Sequence, residues 1–174
     1  MHEFEKEYQK ALDVLLQATG MWPENTTVLY RLGLIYDRMQ HRDQAMIMME
    51  KVISKDPEHA DALNYLGYTL AEQGRDLERA QLLIESALKV KPDNGYFVDS
   101  LAWVYFKQGK NKRAWLEIQR AVQLVDSDPV IWEHYGDIAR AIGFISEARR
   151  GYANSLELEG DNAQQVRTKL NALG

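Results

Sequence analysis

A period of 34 residues runs through this chain and leaves few folds open to it. Prolines stand at Pro23, Pro57 and Pro92, separated by 34 and 35 residues. Alanines recur at Ala11, Ala45, Ala80, Ala114 and Ala148, spaced 34, 35, 34 and 34. Gly33, Gly67 and Gly136 make a third series, with Ala102 in the missing place. Self-similarity at such a period marks supersecondary units that bury their apolar faces only by stacking on their neighbours.

The units align as 26–59, 60–94, 95–128 and 129–162. In the first half of each, large apolar residues fall at the fourth, seventh and often eleventh places: Leu29, Leu32, Tyr36; Leu63, Leu66, Leu70; Val98, Leu101, Tyr105; Trp132, Tyr135, then Ala139. This is helical spacing. In the second half it resumes around the alanine, with Met49, Ile84, Ile118 and Tyr152 four places on and Val52, Ala87, Ala121 and Ser155 three beyond those. Gln40-His41, Gly74-Arg75, Gly109-Lys110 and Gly143-Phe144 mark turns within units. Asp56-Pro57, Lys91 to Asn94 and Asp126 to Pro129 mark helix ends and new starts. Each unit is therefore expected to be a pair of helices. Gly or Ala at the eighth place lets the first helix lie close to the second, and the recurring alanine does the same from the other side.

The order Trp or Leu, Leu-Gly, Tyr, Ala, aromatic or aliphatic, Ala, Pro resembles the tetratricopeptide repeat. The resemblance covers nearly the whole chain. It implies an all-α fold, a right-handed α-solenoid of antiparallel helix pairs. Three departures stand out: Asp126 and Gly160 replace the closing proline, and GRDLERA carries one extra residue.

At the ends, residues 1–25 read as the second helix of a truncated preceding repeat, with Phe4, Tyr8, Ala11, Leu12, Leu15 and Ala18 in phase and Pro23 closing it. Residues 163–174, with a stripe of Ala163, Val166, Leu170 and Leu173, suit a cap helix. A half unit at the start is expected of a piece of a longer repeat protein. The alternative is a homo-oligomer in which Phe4, Tyr8 and Leu12 bury against another copy.

Chemistry is sparse. There is no cysteine, which removes disulfides, thiolate nucleophiles and sulfur-ligated metals. The four histidines form no His-Glu-x-x-His pair, and no phosphate-cradling or serine-nucleophile motif is present. Glu133, His134 and Asp137 share a helix side and are expected to be solvated polar residues rather than ion ligands. Lys110, Lys112 and Arg113 are the densest basic cluster, read as a solvated helix face. No catalytic residue, metal or cofactor is expected, and the chain is not expected to be an enzyme. A net charge of -5 argues against nucleic acid, and no apolar run of about 18 residues argues for membrane insertion.

The resemblance further implies that first helices line a concave groove, which here would present Tyr30, Leu34, Asn64, Tyr65, Tyr68, Tyr96, Asp99, Trp103, Phe106, Glu133 and Asp137. Its middle is aromatic and its far end acidic. Tyr30, Tyr68, Trp103 and Phe106 are expected to grip apolar side chains of a peptide, with Asn64 and Asp99 bonding its backbone. For Tyr68 and Trp103 the alternative is packing against adjacent first helices. The lysine, asparagine and arginine clamp of chaperone-tail binders is absent, since Tyr30, Leu34, Tyr65, Tyr96 and Ser100 occupy its places, so no acidic chaperone tail is expected. The expected function is a scaffold or adaptor holding a protein or peptide segment in the groove. The alternatives are a self-association module, or a recruiting segment of a larger multi-domain protein. Runs such as ALNYLGYTLAEQG resemble bacterial repeat proteins, including cell-envelope lipoproteins, which points to bacterial cytoplasm or periplasm without choosing between them.

Overall fold

The computed structural model describes the backbone of residues 2–174 and side chains from Lys6 onward, so the side chain of Phe4 lies outside the described residues. Among the described residues there are ten helices and no strand: α1 (His2–Met21), α2 (Thr26–Arg38), α3 (Arg42–Lys55), α4 (Ala60–Glu72), α5 (Leu77–Val90), α6 (Gly95–Lys107), α7 (Asn111–Leu124), α8 (Pro129–Ala141), α9 (Ile145–Glu157) and α10 (Ala163–Asn171). The even-numbered helices α2 to α8 are the first helices of their units. The chain divides into two compact units, Met1–Leu66 and Gly67–Gly174, whose border falls inside α4.

Each first helix begins at a side-chain cap. Asn25 Oδ1 accepts from Val28 N at 3.1 Å, Asn94 Oδ1 from Tyr96 N at 3.0 Å, and Asp128 Oδ1 from Val130 N at 2.8 Å. His59 does the same for α4, its Nδ1 accepting from Ala62 N at 3.3 Å. These satisfy backbone donors that a helix leaves orphaned at its start.

The turn inside each unit closes by one repeated bond. His41 N, Arg75 N, Lys110 N and Phe144 N donate to the carbonyls of Tyr36, Leu70, Tyr105 and Ala139 at 2.8 to 3.0 Å. The residue before each donor is left-handed: Gly74, Gly109 and Gly143, but Gln40 in the first unit, at φ 63°. This is the helix-ending motif for which glycine is the usual residue.

In Met1–Leu66 the core is Leu12, Leu29, Leu32, Ala45, Met49, Val52 and Leu63. In Gly67–Gly174 it is built on Ile84, Val98, Val104, Ile118, Ile131, Tyr135, Ile138 and Tyr152, and it extends to Val166 of α10. The helices come together because the eighth place is small. A Cβ on Gly67 would stand 2.5 Å from Ile84 Cγ1 and 2.8 Å from the Ala80 carbonyl oxygen. One on Gly136 would stand 2.5 Å from the Tyr152 ring.

Candidate functional site

The residues expected along the first helices are placed in two groups, one in each unit. In Met1–Leu66, Tyr30 is half-buried, its ring 4.7 Å from that of His59. Burial, reinforced by the charge of Asp61, raises its phenol pKa. Leu34 is exposed. Tyr65 donates its hydroxyl to Asp37 at 2.7 Å. Asn64 is half-buried, and its buried Oδ1 has no hydrogen-bond partner.

In Gly67–Gly174, Trp103 is only 7 % exposed. Its indole N–H donates to Glu72, and its ring stacks on His134 with centroids 4.0 Å apart and planes 16° from parallel. His134 is buried with Nδ1 at 2.9 and 3.0 Å from the two oxygens of Asp99, which places the proton on Nδ1. Burial opposes a charge on this imidazole. The Asp99 carboxylate, by charge and hydrogen bond, and the charges of Asp137 and Glu72 outweigh burial, so its pKa is raised. Tyr68 lies 6.3 Å from the His134 ring and Phe106 lies 5.1 Å from Trp103. Lys107 sits over the Trp103 ring at 4.8 Å. Tyr96, in contrast, is 53 % exposed.

At α8 the acids are not solvated. Glu133 is buried and Asp137 half-buried, and both receive Lys169 of α10, at 2.7 and 2.6 Å. Asn162 adds a donor to Glu133 at 3.3 Å, and Tyr152 donates to Asp137 at 2.8 Å. The acidity read from the sequence at this end is thus neutralised within the chain. Glu133 and His134 differ from the solvated residues expected because Lys169 of α10 meets Glu133 while Asp99 and Trp103 of α6 cover His134.

A common rule emerges within each unit. A carboxylate on one first helix takes a donor from the next helix in the row: Asp37 from Tyr65, Glu72 from Trp103, Asp99 from His134, Asp137 from Lys169. Sequence reasoning left Asp37 and Lys169 out of the site, and it did not foresee these four pairings. Their separations of 28, 31, 35 and 32 residues, each close to one period, were the signal that could have found them.

Among the described residues no group of three histidine or acidic side chains could hold a metal ion, and no helix is long and apolar enough to cross a membrane. Two sequence-family models described as tetratricopeptide repeat match residues 27–59 and 48–81. A TPR repeat-containing protein of Pseudomonas aeruginosa is 31 % identical over 115 residues, covering 66 % of this chain and 20 % of that protein. This chain carries tetratricopeptide repeats. Solved repeat structures agree in fold. A thermophilic TPR protein of Thermus thermophilus matches with a TM-score of 0.75 at 21 % identity, over 98 % of this chain and 92 % of that one. The type IV pilus biogenesis factor PilW matches with a TM-score of 0.80 at 16 % identity, over 98 % and 81 %. The chain spans about a fifth or less of the length of the curated relatives it matches. Tetratricopeptide repeats are commonly protein-interaction scaffolds, and their family and fold neighbours are typically non-catalytic.

Proposed function

We propose that this repeat protein is a non-catalytic adaptor that holds an extended or helical segment of another protein against its first helices. The observation that carries the reading is Asn64. Its Oδ1 is buried at a first-helix place where packing does not require a polar residue, and no hydrogen bond satisfies it. Such an acceptor costs about 1–3 kcal/mol when left unmade, and turning the half-buried side chain outward would let a backbone N–H of a bound segment satisfy it. Tyr30, Leu34 and Tyr65 stand on the same row in that unit and offer apolar surface. In the other unit the contact surface is Tyr68, Tyr96 and Phe106. Asp99, Trp103, Glu133 and Asp137 form its floor, holding the helices in register rather than meeting the ligand with unpaired polar groups.

A peptide library selected on the protein tests this. Binders are expected to lose about tenfold or more in affinity with Asn64→Leu or Tyr96→Ala, a loss that corresponds to roughly 1.4 kcal/mol. Selected peptides that bind both variants as tightly as the parent would refute the reading. Thermal melts of the variants, unchanged within about 2 °C for the exposed Tyr96, separate loss of contact from loss of fold.

A further inference from the structure

The fourth repeat keeps open a space that the third closes. In the third, Gly95 lies against the end of α7, where a Cβ on it would stand 2.6 Å from Val125 Cγ2 and 2.9 Å from Leu124 Cβ. One period on, Pro129, Leu158 and Glu159 occupy the places of Gly95, Leu124 and Val125. Val125 is extended at φ -141°, whereas Glu159 is left-handed at φ 53°, so the chain leaves α9 by another path. That path bounds a cavity of about 340 Å³ between α8, the end of α9 and the first residue of α10. Gly160 closes one side, since a Cβ there would stand 2.8 Å from Pro129 Cβ. α10 starts at the cavity and ends away from it, the Leu173 carbonyl accepting from Arg149 near the start of α9 at 3.1 Å.

The cavity has a polar floor that the repeat does not call for. Ser155 lines it, is only 4 % exposed, and stands at the place of the buried Ala87 and Ala121. Hydroxyls elsewhere on these helices bond back to the preceding turn, Ser100 to the Tyr96 carbonyl and Thr168 to the Gln164 carbonyl, both at 3.0 Å. The Ser155 hydroxyl has no such partner among the described residues. Buried polar groups are ordinarily hydrogen-bonded, so an unpaired hydroxyl facing a cavity points to a ligand. Glu133 shares the floor, its Oε1 accepting from Lys169 at 2.7 Å and its Oε2 from Asn162 at 3.3 Å. Glu159 and Asp161 also line the space, no basic residue does, and Pro129, Val130 and Leu158 supply apolar wall.

Charge and geometry together select the ligand. Acids with no cation among the lining residues favour a positive group. A metal ion is the poorer fit, because no three histidine or acidic side chains among the described residues could hold one. Each Glu133 oxygen already receives a donor, which leaves no free edge for the parallel fork of a guanidinium. An ammonium carries three separate donors on a compact head. It suits one bond to Ser155 Oγ and one to a remaining lone pair of Glu133, with an aliphatic stem along the apolar wall. We infer that this cavity binds an alkylammonium group, the head of a partner's lysine side chain or of a free aliphatic amine. The inference does not rest on the groove reading and shares only Glu133 with it.

Pentylammonium chloride and a capped glycine peptide with a single central lysine, each titrated at pH 7 into the ¹⁵N-labelled full chain, represent the two sources. The amides of Ser155, Leu158 and Ala163 are expected to shift with a Kd of about 1 mM or lower. Shifts from the peptide assign the site to a protein segment, and shifts from pentylammonium alone assign it to a free amine. Pentanol, with the same stem and no charge, should give no saturable shift. Ser155→Ala should bind about tenfold or more weakly while melting no lower than the parent, because the equivalent places already hold alanine. The inference is overturned if neither probe shifts these amides at up to about 10 mM, if pentanol binds as tightly as pentylammonium, or if Ser155→Ala binds unchanged.

Discussion

The indole of Trp103 lies flat on the imidazole of His134, 4.0 Å away and 16° from parallel, and with the Asp99–His134 hydrogen bond this contact ties α6 to α8. Each ring is also held by a hydrogen bond at its edge, Trp103 by Glu72 and His134 by Asp99. A charged imidazole stacked on an indole gains from the ring quadrupole, so protonation and packing act in the same direction here. Two residues spaced like groove contacts are, in the folded chain, the joint between the third and fourth repeats.

That joint makes stability depend on pH with a definite sign. His134 has a folded-state pKa above its ordinary value, because Asp99, Asp137 and Glu72 overcome burial. The stabilisation is therefore complete below the ordinary imidazole range near pH 6.5, and it is lost as pH rises through the raised folded-state pKa. Denaturant midpoints measured from pH 5 to 9 should fall with rising pH, at no more than about 1.4 kcal/mol per pH unit for one proton. Lys107 over Trp103 and Tyr68 near His134 also face the pair, and His134→Gln should flatten the curve. An unflattened curve would locate the dependence elsewhere.

Replacing Trp103 should cost more in fold than in binding. The ring is buried against His134 and Phe106, and Trp103→Ala opens a cavity and removes the donor to the exposed Glu72. A loss of about 3–5 kcal/mol is expected, read as a lower urea midpoint. Tyr96→Ala, at an exposed place on the same helix, should change it by less than about 0.5 kcal/mol.

The fold class was legible because stacking imposes a period on small residues. Gly67 and Gly136 are required by contacts of 2.5 Å or so that any Cβ would violate, and Gly33 meets a similar one in the first repeat. The helix phase followed from Leu63, Leu66 and Leu70 and their counterparts. The electrostatics were less legible. Asp99 and Glu133 look like ligand-facing acids on their own helices, and only the next helix, one period on, brings His134 and Lys169 to neutralise them. Gln40 was read as a turn residue, but its left-handed backbone leaves no trace in a sequence where glycine would be the signal.

Gln40 accordingly offers a simple gain. A left-handed backbone costs a residue with a Cβ about 1–2 kcal/mol, and glycine gives back about 0.5–1 kcal/mol of that in chain entropy. Gln40→Gly should therefore stabilise the protein by about 0.5–1 kcal/mol. The equivalent turns already carry Gly74, Gly109 and Gly143, so the converse change, Gly109→Gln, should destabilise by a similar amount in the same calorimetric scan.

Gly67 should tolerate no side chain. Ile84 could yield by changing rotamer, but the Ala80 carbonyl at 2.8 Å is backbone and can move only with α5. Gly67→Val should cost about 2–3 kcal/mol by overpacking, and restoring space with Ile84→Ala should recover little of it. Full recovery in the double variant would show that the side chain, and not the approach of the helices, sets the limit.

Lys169 decides whether α10 stays on the stack. Burial works against its charge, yet hydrogen bonds and charges from Asp137 and Glu133 prevail and raise its pKa, so it remains protonated through the neutral range. Lys169→Met keeps the length and apolar stem but leaves two carboxylates facing each other on α8, Glu133 with 9 % of its side chain exposed and Asp137 with 16 %. Like charges in a shared, partly buried site disfavour double ionisation. The variant should lose about 1–2 kcal/mol at pH 8, a range set by the partial exposure of the lysine, and regain much of it at pH 5. Amide exchange should show the loss as earlier opening of α10 around Val166, while α6 and α7 keep their protection. Uniform loss of protection along the chain would instead mean that the cap and the repeats unfold as one.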